Sequence, residues 1–461
     1  MNDRYPTRFH LLVPLGFVAF GIALAQLTGR LQQEIVPDSA SYLNYSFASL
    51  ESMGRESRMP GYPLWLALWK RMIGLDYVPV AQVITHALAS SWFAIALRRL
   101  GMLRILAIVA GITVGIGCTA MDNIAILSTD ALAASAGVCT ASTLMMWSRT
   151  DRTMALGLLT AAFAVFAIML RPAYLFLIPW LFIAGAMLRY AYASNLRSSL
   201  RLSCLLSLVT MLPVLGWMTL RLVAVGEFAI LPFGHQNLGA VLVQLVSEEE
   251  LADLPGEAGE LGREVLVSKQ EYLRSGGTFP EGDRFATMTI EGSWDNMTYL
   301  ILVPAADAVA GDDSLASHEL MRVMNKEIIK RYPSRYFVWV LKNLRRGAWA
   351  IAADIVMHPI FLAVIGLSLL WCVYAAVMDV GLSSRPFSQS DPMSVGRWAE
   401  GTRELTIVAI TYLIANLGFV ALTSPTIGRF SDAAAIFVPA WLVTTLLSQQ
   451  GQAARVSEKH V

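Results

Sequence analysis

Apolar residues along this chain fall into ten blocks separated by polar stretches. The blocks lie at 11–29, 79–97, 105–121, 130–147, 154–170, 173–188, 202–224, 357–378, 405–423 and 433–448. Blocks of about 20 apolar residues match the thickness of a bilayer. Inside lipid every backbone group needs a local partner, so each block is expected to be a helix. The pattern predicts an all-α polytopic membrane protein of about ten transmembrane helices.

The loops supply sidedness. Arg4 and Arg8 precede the first span. Arg98, Arg99 and Arg104 follow the second, Arg149 and Arg152 the fourth, and Arg189, Arg197 and Arg201 the sixth. Arg385, Arg397 and Arg403 lie between the eighth and ninth, and Arg455 and Lys459 follow the last. These are alternate loops, and the positive-inside rule makes that side cytoplasmic, both termini included. The loop 122–129 carries Asp122 and no Lys or Arg, as an external loop should. Ala23-Leu24-Ala25 before Gln26 resembles a signal-peptidase site, but the alternation of basic loops needs the first helix to stay.

Two external segments are long. One is 30–78. The other, 225–335, contains the run Glu248-Glu249-Glu250 and the turn formers Gly276-Gly277 and Pro280-Glu281-Gly282. It reads as a polar subdomain or ordered lid. From Arg331 onward, aromatic and basic residues (Tyr336, Trp339, Arg345, Arg346, Trp349) alternate at helical spacing, which suits a helix lying at the membrane surface. Three regions result: 1–225 with the first external loop, 226–335 as the polar subdomain, and 336–461 as the interfacial helix and last spans.

Composition agrees. The chain is 56% hydrophobic and 15% charged, with mean hydropathy +0.54, whereas soluble domains carry roughly a quarter charged residues. A net charge of +1 gives no electrostatic case for nucleic acid. Cys118, Cys139, Cys204 and Cys372 each sit in an apolar block without metal-ligand spacing, and read as small buried hydrophobes. There is no Walker, Rossmann or zinc motif, so no nucleotide cofactor is expected.

Chemistry concentrates in 30–78. Asp38 follows Pro37 and precedes Ser39-Ala40-Ser41-Tyr42-Leu43, and the string Arg58-Met59-Pro60-Gly61-Tyr62-Pro63 leads into an apolar stretch. By position alone, Asp38 also suits the N-cap of a short helix. The order Pro-Asp-Ser, Tyr-Leu, then Arg-x-Pro-Gly-Tyr-Pro resembles the GT-C membrane glycosyltransferases. More closely, it is similar to the bacterial branch related to protein O-mannosyltransferases and the lipid A aminoarabinose transferase. Ser128-Thr129-Asp130 before the fourth helix, Arg171-Pro172 at an external junction and Gly428-Arg429-Phe430 before the last span follow the same order. The resemblance spans the helical frame, and only the first loop is specific. It implies a catalytic aspartate in that loop, which falls on Asp38. It also implies a sugar donor on a polyprenyl phosphate, a site on the external face of a bacterial cytoplasmic membrane, and an extracytoplasmic acceptor. There are departures. Ser39 stands where many relatives have a second acid, and Met59 stands where the aminoarabinose enzyme has lysine. The segment 225–335 matches nothing in the family, so the acceptor is not implied.

Such a transfer needs a base for the acceptor hydroxyl and cations for the leaving phosphate. Asp38 is the candidate base. Arg58, Arg171 and Arg429 are candidate phosphate ligands, since a guanidinium binds phosphate oxygens in a fork. Each arginine also suits interfacial snorkelling or a salt bridge. Tyr42, Tyr62, Asp130 and His235 are expected around the substrate, although Asp130 also suits a helix cap and His235 a structural hydrogen bond. Asp122 and Asp312-Asp313 read as loop charges, and a divalent metal is left open. His86 is expected to bond a neighbouring helix. Two other readings stand beside the transferase: a transporter or flippase, and a polymerase or ligase, both for lipid-linked glycans. Transporters keep ionisable groups at mid-membrane depth, whereas these spans are nearly charge-free at their centres. A polymerase would keep its key Arg and His residues in the large loop.

Overall fold

The computed structural model describes residues 7–150, 153–232, 234–280, 287–311, 313–379 and 401–458. Arg4, Phe233, Glu281, Gly282, Asp312, Arg152, Arg385, Arg397 and Lys459 lie outside the described residues, as do the side chains of Arg8, Cys118, Cys372, Arg429 and Arg455. Among the described residues every regular element is a helix; the only extended pairing is a parallel bridge between Glu34 and Ile126.

Five helices are long and apolar enough to cross a bilayer: Leu75–Arg99, Asp130–Ser148, Pro172–Ala193, Leu196–Val225 and Thr402–Thr423. Pro333–Met357 and Pro359–Leu370, bent by 64°, make a sixth if they form one broken span. The chain is thus a helical multi-pass membrane protein. The ten full spans are not all matched, because Leu11–Leu27, Arg104–Gly115, Met154–Leu170 and Asp432–Ser448 are apolar but shorter. The shortfall is largest for the block 105–121. Its helix Arg104–Gly115 has 12 residues, a rise of about 18 Å against about 30 Å of hydrocarbon. The chain breaks at Ile116-Gly117 and resumes as the single turn Cys118–Met121.

Asp130–Ser148 is the central helix, 94% buried. Its alanines, serines and Gly137 allow close approach on all sides. A Cβ on Gly137 would lie 2.7 Å from the Tyr412 hydroxyl and 3.0 Å from the Tyr174 ring. His86 bonds two neighbours, with Nδ1 3.0 Å from Ser135 Oγ and Nε2 3.2 Å from the Val114 carbonyl, as the sequence suggested. Leu196–Val225 is peripheral, only 22% buried. Cys204 lies on it and is exposed, against the expectation of burial, and Cys139 is half-buried; both are free.

The segment 226–335 is helical and has its own hydrophobic core. Leu242, Leu261, Ile290, Trp294, Ile301, Met321 and Met324 are all buried in it. The acidic run serves as a helix start: Ser247 and Glu250 form a reciprocal capping box. The Glu250 carboxylate also takes a two-pronged ion pair from Arg335, at 2.6 and 2.8 Å. Those hydrogen bonds hold Glu250 down at about 2.

The aromatic and basic stretch forms one helix, Pro333–Met357, starting two residues after Arg331. One face buries Trp339, Val340, Asn343, Gly347 and Ile351. The other exposes Phe337, Leu341 and Trp349. The bend at His358 follows from Pro359, which disfavours helical backbone in the residue before it; His358 is extended, with ψ 124°.

Candidate active site

The first loop is fastened to the loop before the central helix. The Glu34 amide donates to the Ala125 carbonyl at 2.8 Å, and the Leu127 amide donates to the Glu34 carbonyl at 3.0 Å. Ser39 completes the attachment: its buried hydroxyl donates to the Leu127 carbonyl at 2.9 Å. Gln82 holds the same loop from below, donating to the carbonyls of Ile124 and Ile126. Ser39 therefore acts as an anchor that holds the start of the Asp38 segment to the loop before the central helix.

Asp38 precedes the helix Ser39–Leu43, but its carboxylate makes no capping hydrogen bond. It accepts instead from Arg58 Nη2 at 2.8 Å. Arg58 also donates from Nε to Ser41 Oγ at 2.8 Å and lies over the Tyr42 ring, 4.9 Å from its centroid. The pair is mostly screened from water, with 17% of Arg58 and 21% of Asp38 exposed. The rigid Pro-Gly string delivers Arg58 here. Gly61 touches the end of the helix Thr153–Leu170, where a Cβ would come within 2.5 Å of the Met169 carbonyl.

Arg171 stands next to that helix end, with an extended backbone before the turn Pro172–Phe176. Its guanidinium pairs with Asp130 and faces the Phe430 ring at 5.7 Å. Asp130 is the first residue of its helix and serves as the buried partner of Arg171, not as a cap. Tyr62 is also displaced from its expected role. It is wholly buried behind Tyr42, edge-to-face at 5.1 Å, and stacks on Trp65.

A cavity of about 360 Å³ lies between these residues. Asp38, Tyr42, Arg58, Arg171 and His235 all reach its wall. Leu170, Leu175, Leu231, Phe419 and Val420 give the same cavity an apolar lining. No family model, curated protein or solved structure matches the chain. The reading of the cavity therefore rests on its own geometry.

Sequence reasoning missed several wall residues, among them Asn237, Trp294, Tyr299 and Thr423. Trp294 and Tyr299 are five residues apart, which would put them on different faces of an α-helix. Here residues Met297–Leu302 form a π turn, whose wider winding brings both rings to the cavity. No hydropathy pattern signals such a turn. Two supporting residues were also missed. Arg221, at the end of a span, is 1% exposed and donates to the carbonyls of Gly54 and Ala229 and to Glu227. Asn343 donates to the carbonyls of Ala421 and Ser424, and its side-chain oxygen accepts from the Thr426 amide. This ties the cavity segment 419–424 to the long helix.

Asp122 pairs with Arg30 at 2.7 Å and is largely exposed, as a loop charge should be. Asp313 accepts from the Leu315 amide as an N-cap. Among the described residues no three His, Cys, Asp or Glu side chains converge on a metal-sized site. His235 begins the helix His235–Leu242, and its carbonyl accepts from Asn325 Nδ2 at 2.7 Å. Burial and the nearby Arg322 guanidinium push its pKa down, so the imidazole is held toward its neutral form.

Proposed function

We propose that this chain is a membrane glycosyltransferase that moves a sugar from a polyprenyl phosphate to an acceptor hydroxyl outside the cytoplasm. The observation that carries the reading is one cavity whose lining divides into charged groups, a carboxylate and two arginines, and apolar side chains. That division suits an anionic headgroup on a greasy chain. In the proposed step Asp38 takes the acceptor's proton, and the acceptor oxygen bonds to the anomeric carbon. The bond from that carbon to the phosphate oxygen breaks, and the polyprenyl phosphate leaves with the electron pair. Arg58 and Arg171 stabilise the leaving charge through charge-assisted hydrogen bonds.

The resting ion pair adds a condition. While Arg58 occupies the Asp38 carboxylate, an oxygen lone pair needed by a base is engaged. A donor phosphate competes for the same guanidinium and releases it. Donor binding would thus free Asp38 to take the acceptor's proton. The reading includes the ten-helix topology with both termini cytoplasmic, in a bacterial cytoplasmic membrane.

Asp38→Asn is the direct test, with purified protein and a radiolabelled lipid-phosphate sugar. Asparagine keeps the shape and can still accept from Arg58, so the fold should hold. Transfer should fall about 10²-fold or more, the usual scale for loss of a general base. Transfer at the normal rate would leave Asp38 as a structural partner of Arg58 and remove the catalytic reading. A transporter or flippase would instead move intact donor across vesicles without forming glycoside.

A further inference from the structure

A second cavity, of about 500 Å³, adjoins the first and shares Ala229, Leu231 and His235 with it. Its remaining polar wall consists of Glu227, His318, Glu319 and Arg322. Its wall carries two carboxylates and one guanidinium, where that of the first cavity carries one carboxylate and two guanidiniums. Arg322 is paired in two prongs with Glu319, and Glu227 is paired with Arg221 at 2.9 Å. Both imidazoles stay uncharged at neutral pH. Burial, with His235 nearby, pushes His318 down to about 4, and burial lowers His235 as well. The wall therefore offers hydrogen-bonding groups with little net field. A neutral imidazole carries one donor and one acceptor, which matches a hydroxyl. An anionic headgroup finds its cations in the first cavity.

We propose that this second cavity binds the acceptor and that the acceptor presents a neutral, hydroxyl-rich group, a saccharide. His235 stands on the shared wall, so a hydroxyl held there faces the cavity that contains Asp38. The acceptor role rests on the transferase reading above; the saccharide site itself does not.

The test separates the two. In a background with the four native cysteines replaced by alanine, Phe228→Cys and Arg322→Cys each place a thiol in the second cavity and leave both imidazoles in place. Arg322 is exposed, so that variant should fold even if the first does not. Maleimide labelling is followed with added neutral oligosaccharides, inorganic phosphate or polyprenyl phosphate. A neutral oligosaccharide at ten times its dissociation constant should slow labelling about tenfold, and neither phosphate should. Protection by either phosphate, or by no saccharide at either position, overturns the proposal. Saccharide protection combined with normal transfer by Asp38→Asn would keep the saccharide site and discard the catalytic role of Asp38.

Discussion

Arg58 has two partners that a lysine could not hold at once, Ser41 through Nε and Asp38 through Nη2. Arg58→Lys keeps the charge and loses the planar fork. Transfer with a purified lipid-phosphate donor should drop about tenfold or more, and wild-type rates would reduce Arg58 to a general positive charge. Arg171 allows structure and chemistry to be separated. Its removal leaves Asp130, 6% exposed, as an uncompensated buried charge, a loss of about 3–5 kcal/mol. Arg171→Leu with Asp130→Leu should recover most of that stability in a thermal melt and none of the transfer. Recovery of transfer would make Arg171 structural only. Asp38, Arg58, Arg171 and His235 were legible in the sequence as polar residues beside apolar blocks, because charge near a span end stands out against apolar background. Tyr62 and Asp130 were misplaced because a tyrosine in a Pro-Gly string looks the same whether it faces a cavity or supports the ring that does. Arg221 escaped because one arginine at a span end reads as snorkelling.

Elements bring these residues together through contacts that have no sequence signature. Gly61 meets the Met169 carbonyl with no room for a methyl. Gly61→Ala should push the first loop away from Arg171, so transfer should fall while the polar subdomain, read by limited proteolysis, stays intact. An unchanged transfer rate would mean that the loop is not seated as described. Asn343→Leu removes the tether between the long helix and 421–426. It strands buried carbonyls and the Thr426 amide, at about 1–3 kcal/mol for each unsatisfied group. A melting temperature equal to wild type would contradict that tether. Helix existence was readable from the apolar blocks, since bilayer-length runs are the strongest pattern a chain can carry. Helix length was less so: an average over 105–121 cannot register that Ile116-Gly117 ends the helix. The bend before Pro359 was visible in principle, because a proline restrains the residue before it.

At the scale of the whole molecule the polar subdomain should loosen in acid. Glu250 lies near 2 when folded, against an ordinary value of 4.5. A lowered carboxylate gives stability that is full above about 4.5 and lost as pH falls toward about 2, on the order of 1–2 kcal/mol for a partly exposed pair. Glu250→Gln should flatten that dependence in proteolysis or hydrogen exchange, and an unchanged profile would assign the acid sensitivity elsewhere. Topology is open to thiol labelling. Single cysteines at the exposed positions Asn44 and Thr278 should react with an impermeant reagent from outside, and one at Ser198 should not. Labelling at Ser198 in intact cells would reverse the orientation. The alternating basic loops are what this expectation rests on. The joining of 30–78, 226–335 and 419–430 around one cavity was not readable, because it depends on which helices are neighbours.

The grip of Arg221 on Gly54 also bears on how the protein is made. The first loop leaves the ribosome early, yet the residues that hold it come later: Leu127, then Met169, then Arg221. The loop cannot take its final shape until the chain has been synthesised past residue 221, so nascent chains shorter than that carry Asp38 and Arg58 on an unanchored segment. The seating of Asp38 and Arg58 would therefore arrive late in biogenesis, and membrane insertion of Leu196–Val225 becomes the step that commits the first loop to its place.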